Sequence, residues 1–198
     1  MRVVLPNVRH IPCRDAVLLG APVGDKSSVD MVLNNKLVEF RRLASRLTSL
    51  GAHDALFLLK NCFGLPQLLY TLRCAASFKS PILQEYDSVI QHTLKVILNV
   101  DLTDHVWRQA SLPVSSGGIG IRLATDLALP AFLSSVNGAA YLTMKLLPSR
   151  LHAVSCNYDP VYVAACVEWQ TRCSSAVPDP ASPSVQRRGT HTDCKSEV

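Results

Sequence analysis

Ser27-Ser28-Val29-Asp30-Met31-Val32-Leu33-Asn34-Asn35-Lys36-Leu37-Val38-Glu39-Phe40-Arg41-Arg42-Leu43-Ala44-Ser45-Arg46-Leu47-Thr48-Ser49-Leu50 decides the fold class. Val29, Leu33, Leu37, Phe40, Ala44 and Leu47 recur every three or four residues, which sets them on one face of an α-helix. Ser27 or Ser28 is placed to cap its N-terminus, and Asp30 suits the positive first turn. Gly51 fits the left-handed position just past its end. Arg42 and Arg46 fall on the opposite face, one turn apart, where like charges repel slightly. Water relieves that repulsion, and so would a bound phosphate. Glu39, three residues before Arg42, offers an ion pair instead.

The pattern continues towards the C-terminus. Residues 54–62 read as an apolar helix after Asp54, interrupted by Gly64 and Pro66. A further helix is expected from Pro66 to about Ala76. Ser80-Pro81 reads as an N-cap followed by proline at the first helical position. The helix it opens runs to about Asn99, with Leu83, Tyr86, Ile90, Leu94 and Ile97 as its buried stripe. Asp87 falls inside that stripe and needs a partner, because an unpaired buried charge is costly. A short helix carrying Trp107 is expected from about Thr103 to Ala110. The segment Leu112 to Arg122 follows, with Gly117, Gly118 and Gly120 in four positions. Three glycines so close together demand unusual backbone geometry or close approach. Residues 123–147 read as helical, bent near Pro130 and broken near Gly138. Residues 160–173 read as the last helix.

Upstream, residues 1–24 read as short strands and turns: Met1 to Leu5 up to Pro6, then Ala16 to Leu19 up to Gly20. Strand-like pieces without partner strands suggest a truncated start. From Ser174 onward Pro, Ser, Asp, Thr and Arg dominate, so 174–198 reads as a disordered tail. The 198 residues are 48% apolar and 18% charged, enough for one core. Aromatics contribute only 6%, so leucine and valine must fill it. A net charge of +5 permits contact with a polyanion without a histone-like excess. The start carries no secretory-type apolar segment, and no apolar run reads as a membrane span. The seven cysteines are odd in number and include no C-x-x-C pair, so the expectation is reduced thiols in an intracellular protein.

The chemistry-bearing motifs are mostly excluded. His191 and Cys194 lie close together, but no second ligand pair accompanies them for zinc. The glycine segment matches neither the phosphate loop nor the dinucleotide fingerprint. No serine sits in a G-x-S-x-G elbow. Two-metal phosphoryl transfer needs gathered carboxylates. The sequence has no Asp-Asp pair, and Asp15, Asp25, Asp30, Asp54, Asp87, Asp101, Asp104 and Asp126 are dispersed. What remains is basic: Lys36, Arg41, Arg42, Arg46, Lys60, Arg73 and Lys79, gathered in the first three helices. Phosphate contacts from such residues are independent of base sequence and sensitive to salt.

An ordered series adds to this reading. Leu18-Leu19-Gly20-Ala21-Pro22-Val23-Gly24 opens it. His53-Asp54-Ala55-Leu56, Leu58-Leu59-Lys60-Asn61-Cys62-Phe63, Pro66-Gln67-Leu68-Leu69-Tyr70 and Leu72-Arg73 continue it. Tyr86-Asp87, Asn99, Trp107 to Pro113, Gly117-Gly118-Ile119-Gly120-Ile121-Arg122 and Ala131-Phe132-Leu133-Ser134-Ser135 complete it. Over roughly residues 16–140 the series resembles the segment that follows the palm in reverse transcriptases (RNA-directed DNA polymerases) of non-LTR retrotransposons. The resemblance implies that 1–24 is the residual end of the palm near the primer grip. It implies that 25–173 is a helical thumb-like domain holding template–primer duplex. The family's catalytic Asp-Asp motif and its Mg2+ would belong to a palm absent from this chain, as would the fingers. The chain departs from the family after Gln186-Arg187, where Arg188-Gly189 stands in place of Trp-Asp.

The expected fold is mainly α: an irregular multi-helix bundle with a short β-like N-terminal segment and a disordered C-terminal tail. The expected function is that of a polymerase fragment, inactive alone, with no cofactor of its own. It would grip nucleic acid through Lys36, Arg41, Arg42, Arg46, Lys60, Arg73 and Lys79, with Gly117, Gly118, Gly120 and Arg122 as a structural loop. Its partners would be an RNA–DNA hybrid or duplex backbone and the missing palm and fingers, in the cytoplasm or nucleus and away from membranes. The alternative is a helical protein-interaction or scaffold domain, or a non-functional relic.

Overall fold

Helix α1 (Lys26–Leu47) buries Val29, Leu33, Leu37, Phe40, Ala44 and Leu47, the six positions its spacing selects. The structure is a computed structural model and describes residues 12, 16–23, 25–148 and 160–173. The cap differs from the expectation. Asp25 is the N-cap and accepts from Ser28 N–H at 3.1 Å. The hydroxyls of Ser27 and Ser28 donate to the same carboxylate, at 2.7 and 3.1 Å. A carboxylate that takes three donors satisfies the helix start better than one hydroxyl. Nor does Gly51 end this helix. The hydroxyls of Ser45, Thr48 and Ser49 donate back to the carbonyls of Arg42, Ser45 and Arg46. With Thr48 N–H on Ala44 O and Leu50 N–H on Leu47 O, the Thr48 and Ser49 hydroxyls serve the remaining last-turn carbonyls of Ser45 and Arg46. Gly51 instead precedes α2 (Ala52–Leu58) as its N-cap.

After α2 the chain widens into one π-helical turn, Leu59–Phe63, and closes at Gly64. A β-carbon on Gly64 would meet the Leu59 carbonyl oxygen at 2.5 Å, so only glycine fits this close. Helix α3 (Leu65–Cys74) follows, with Pro66 in its first turn. Ala52–Cys74 is apolar and long enough, at mean hydropathy 1.2, to qualify as a candidate membrane span by composition, contrary to the sequence expectation. Its Ala55, Leu59, Leu65, Leu68 and Leu72 are buried in the bundle, whereas Phe57, Leu69 and Tyr70 are exposed.

Helix α4 (Ile82–Leu98) buries Leu83, Tyr86, Ile90, Leu94 and Ile97 as expected, and ends on Asn99 at φ 51°. Ser80 does not cap it. Its hydroxyl donates to Asp30 Oδ1 at 2.6 Å and ties this turn to α1. Helix α5 (Asp104–Ser111), capped by Thr103, carries Trp107, and a 3-10 turn spans Val114–Ser116. Helix α6 (Ala124–Leu146) contains Pro130 and continues through Gly138, where the sequence predicts a break. Its buried Leu127, Ala128, Leu129, Ala131, Phe132 and Leu133 outweigh what those two residues cost a helix. Helix α7 (Pro160–Cys173) packs on α6.

The layers follow from these faces. α1 packs on α4, α3 on α6, and α4 bridges the two pairs by also touching α6. Phe40 and Tyr86 stack across the α1–α4 seam with ring centroids 4.6 Å apart. At the N-terminus β1 (Val17–Leu18) and β2 (Ala21–Pro22) form a short antiparallel hairpin, with Val17 opposite Pro22. Leu19 and Gly20 both take positive φ in its turn, 51° and 84°, the twist that two-residue hairpins favour. The chain is thus mainly helical with a short two-strand segment. The expected first strand, Met1 to Leu5, and the tail 174–198 lie outside the described residues.

Candidate nucleic-acid interface

Tyr86 and Asp87, adjacent on α4, fix the frame on which the basic residues stand. The Tyr86 hydroxyl donates to the Gly64 carbonyl at 3.0 Å and so pins the exit of the π turn. Its burial pushes the phenol well above the ordinary tyrosine range, with the charge of Asp87 adding to the effect. Asp87 reaches the other way. Its carboxylate accepts from Ala124 N–H at 2.6 Å, Thr125 N–H at 3.0 Å and Thr125 Oγ1 at 2.7 Å. It therefore caps the N-terminus of α6 from a different helix, the position where a negative charge is most favourable. Burial pushes the Asp87 carboxyl up, against the pull of these hydrogen bonds. The partner that the sequence demands for Asp87 is a helix end, which local spacing does not reveal.

The seven basic residues are distributed unevenly over this frame. At 3.6 residues per turn, Lys36 and Arg41 flank the buried stripe of α1 on opposite sides, while Arg42 and Arg46 point away from it. Arg41 forms an ion pair with Glu85 of α4. Lys79 pairs with Glu168 of α7 at 3.4 Å and lies 5.9 Å from the centre of the Phe78 ring. These two are committed to holding helices together. Arg42, Arg46 and Arg73 are exposed and meet no carboxylate among the described residues. Glu39 does not pair with Arg42. Lys36 is half-buried on α1. The set therefore divides into an outward pair on α1, one arginine on α3, two structural cations, the half-buried Lys36, and Lys60.

Lys60 belongs with the glycine loop. It sits in the π turn, and its ammonium end lies across Gly120: a β-carbon there would be 3.1 Å from Nζ and 3.3 Å from Cε. Lys60 and Arg122 line one small pocket, together with Leu59, Gly64, Leu65, Ile90 and Ile121. The three glycines have separate reasons. Gly117 and Gly120 take φ of 80° and 79°, and Gly118 passes so near Leu112 that a β-carbon would lie 2.0 Å from its carbonyl oxygen. The loop is held by Gly118 N–H to Pro113 O, Gly120 N–H to Leu112 O, and both Ile119 and Ile121 N–H to Ala110 O. Sequence alone groups Gly117, Gly118, Gly120 and Arg122 as one loop, but it carries no signal that Arg122 shares a pocket with Lys60.

Asp25 and Asp87 cap helices, Asp30 takes Ser80, Asp101 pairs with Lys95, and Glu85 and Glu168 hold Arg41 and Lys79. Among the described residues no group of three or more His, Cys, Asp or Glu is placed to hold a metal ion. Cys62, Cys74 and Cys166 are free thiols, whereas Cys173 is disulfide-bonded, at odds with the expectation of reduced thiols throughout. No protein-family model matches this chain, and no curated protein or solved structure matches it either.

Proposed function

We propose that the chain is a thumb-like fragment of a non-LTR retrotransposon reverse transcriptase. It is inactive as a polymerase and holds nucleic acid by its phosphate backbone. The ordered series between residues 16 and 140 supports the family reading. The observation that carries the activity is the pair Arg42 and Arg46: one turn apart, exposed, on the face of α1 opposite its core stripe, and unmet by any described carboxylate. Guanidinium groups in that position suit phosphate oxygens, which they bind without reading bases. Arg73 is exposed and unpaired in the same way and belongs with them. Arg41 and Lys79, which the sequence pattern places in the grip, are engaged by Glu85 and Glu168 and contribute less. Binding to a labelled RNA–DNA hybrid, read by fluorescence anisotropy at two salt concentrations, tests the proposal.

A second reading, a helical protein-interaction domain, has its own support. The hairpin leaves Leu18 and Leu19 at 65% and 87% exposure, beside α3 with its exposed Leu69 and Tyr70. Exposed apolar side chains on neighbouring elements suit an association surface. Self-association or retention on an apolar matrix, without hybrid binding, would favour it.

A further inference from the structure

We infer that the exposed face of α3 beside the hairpin is a stacking site for an unpaired base, with Tyr70 as the platform and Arg73 as the contact to the adjoining phosphate. The inference deepens the nucleic-acid reading above and rests on it: it names a single-stranded segment as what this face takes.

Tyr70 stands on the outward side of α3 at 48% exposure, while Leu68 and Leu72 are turned fully into the core. The hairpin turn lies beside the ring: a β-carbon on Gly20 would be 3.9 Å from Tyr70 Cε1. That turn carries the exposed Leu19, and α3 adds the exposed Leu69. The ring is open to a stacking partner. Among the described residues the ring pairs are Phe40 with Tyr86 and Phe78 with Phe132, and the cation–ring contact is Lys79 with Phe78, so neither a ring nor a cation covers Tyr70. A tyrosine offers a flat face with few torsions to fix, and every base has a π face to set against it. In a duplex both faces of an internal base are already stacked, so the platform suits a base that is unpaired.

Charge decides between a nucleotide and a purely apolar partner. Arg73 follows Tyr70 by three residues, which makes the two side chains neighbours on the helix surface. It is exposed and meets no carboxylate among the described residues, whereas Arg41, Lys79, Lys95 and Arg172 all do. Residues 16–23 of the hairpin contain no Asp or Glu, and residues 55–84 contain Lys60, Arg73 and Lys79 but no acid. An aromatic face beside a free guanidinium, on two elements without carboxylates, is complementary to a base joined to a phosphate. An apolar protein surface set on the same face would bury Arg73 without a partner, which is costly.

The test uses the full chain and anisotropy with two labelled probes, a single strand of mixed sequence and a fully paired RNA–DNA hybrid. Tyr70→Phe keeps the flat ring, Tyr70→Leu keeps apolar bulk without it, and Arg73→Gln removes the charge. Both positions are exposed, and circular dichroism checks that each variant is folded. We expect the single strand to bind the wild type and Tyr70→Phe alike, and Tyr70→Leu about tenfold more weakly, the loss of one base stack. Arg73→Gln should lower the slope of log affinity against log salt by roughly 0.7, one phosphate contact on a single strand. The bound strand should also slow alkylation of Cys74, an exposed free thiol one turn from Tyr70, more than that of the exposed Cys62. No binding of the single strand, or equal affinity in Tyr70→Leu and the wild type, would overturn the site. Hybrid binding that still fell in Arg42→Ala/Arg46→Ala would then leave the nucleic-acid reading standing, whereas silence with both probes would overturn the two together. Self-association weakened by Tyr70→Leu, without single-strand binding, would overturn the site and assign the face to a second copy of the chain.

Discussion

Asp87 is one carboxylate on which two elements depend. It is buried on α4, yet its three hydrogen bonds go to the first turn of α6. Asp87→Ala should therefore lower the unfolding free energy by about 2–4 kcal/mol, since it leaves buried helix-end donors without an acceptor. Urea denaturation followed by circular dichroism measures this, and a loss below about 0.5 kcal/mol would mean that water replaces the carboxylate. Asp25 gives the contrasting pH signature. Its hydrogen bonds from Ser27 and Ser28 hold its carboxyl below the ordinary range. A carboxylate with a lowered folded value stabilises above its unfolded value and loses that contribution as pH falls through the folded one. Asparagine caps equally well but does not titrate. Asp25→Asn should thus match the wild type near pH ~6 and lose less stability below about pH 4, which thermal melts across that range will show. Asp87, whose carboxyl is pushed up, has the opposite slope: its contribution is fullest at low pH and declines as pH rises through its folded value.

At the scale of elements, the glycine loop shows how far a sequence reads. Three glycines within four positions signal special backbone or close approach: Gly117 and Gly120 take positive φ and Gly118 the close approach. Their unequal importance is not legible, because it depends on what each faces. A β-carbon on Gly117 would meet nothing within 4 Å, whereas one on Gly118 would lie against the Leu112 and Gln109 carbonyls. Gly117→Ala should cost about 1 kcal/mol for its positive φ, and Gly118→Ala about 3 kcal/mol or more for the collision; comparing their melting temperatures checks the order. The stripes of α1 and α4 are legible residue by residue, because burial of one helix face writes its period into the chain. Helix ends are less so. Ser27, Ser28 and Ser80 have the chemistry of caps, but each donates its hydroxyl to an aspartate, and two of the three act within a turn that Asp25 organises. Local propensity predicts a break at Gly138 because it takes no account of α3. The apolar face that α6 presents to α3 decides otherwise.

At the scale of the whole molecule, the basic residues are legible as a set and not as a surface. Composition cannot show that Glu85 and Glu168, distant in sequence, take Arg41 and Lys79 out of it. Nor can it show that Lys60 stands with Arg122. Of the seven residues of the sequence pattern, Arg41 and Lys79 are engaged in ion pairs, which leaves Arg42 and Arg46 on α1, Arg73 on α3, the half-buried Lys36, and Lys60 beside the glycine loop without an ion pair among the described residues. On the fragment reading proposed above, the purified chain with Mg2+ and nucleotides should not extend a primer. Gel assay of a labelled primer reads this directly, and robust extension would overturn the fragment reading.

Anisotropy of a labelled RNA–DNA hybrid titrated with the folded chain at low and moderate salt tests most directly the proposal that this bundle holds a phosphate backbone. We expect micromolar binding that weakens steeply as salt rises and is reduced by Arg42→Ala/Arg46→Ala. The absence of binding at low salt, from a sample that circular dichroism shows to be folded, would contradict the claim.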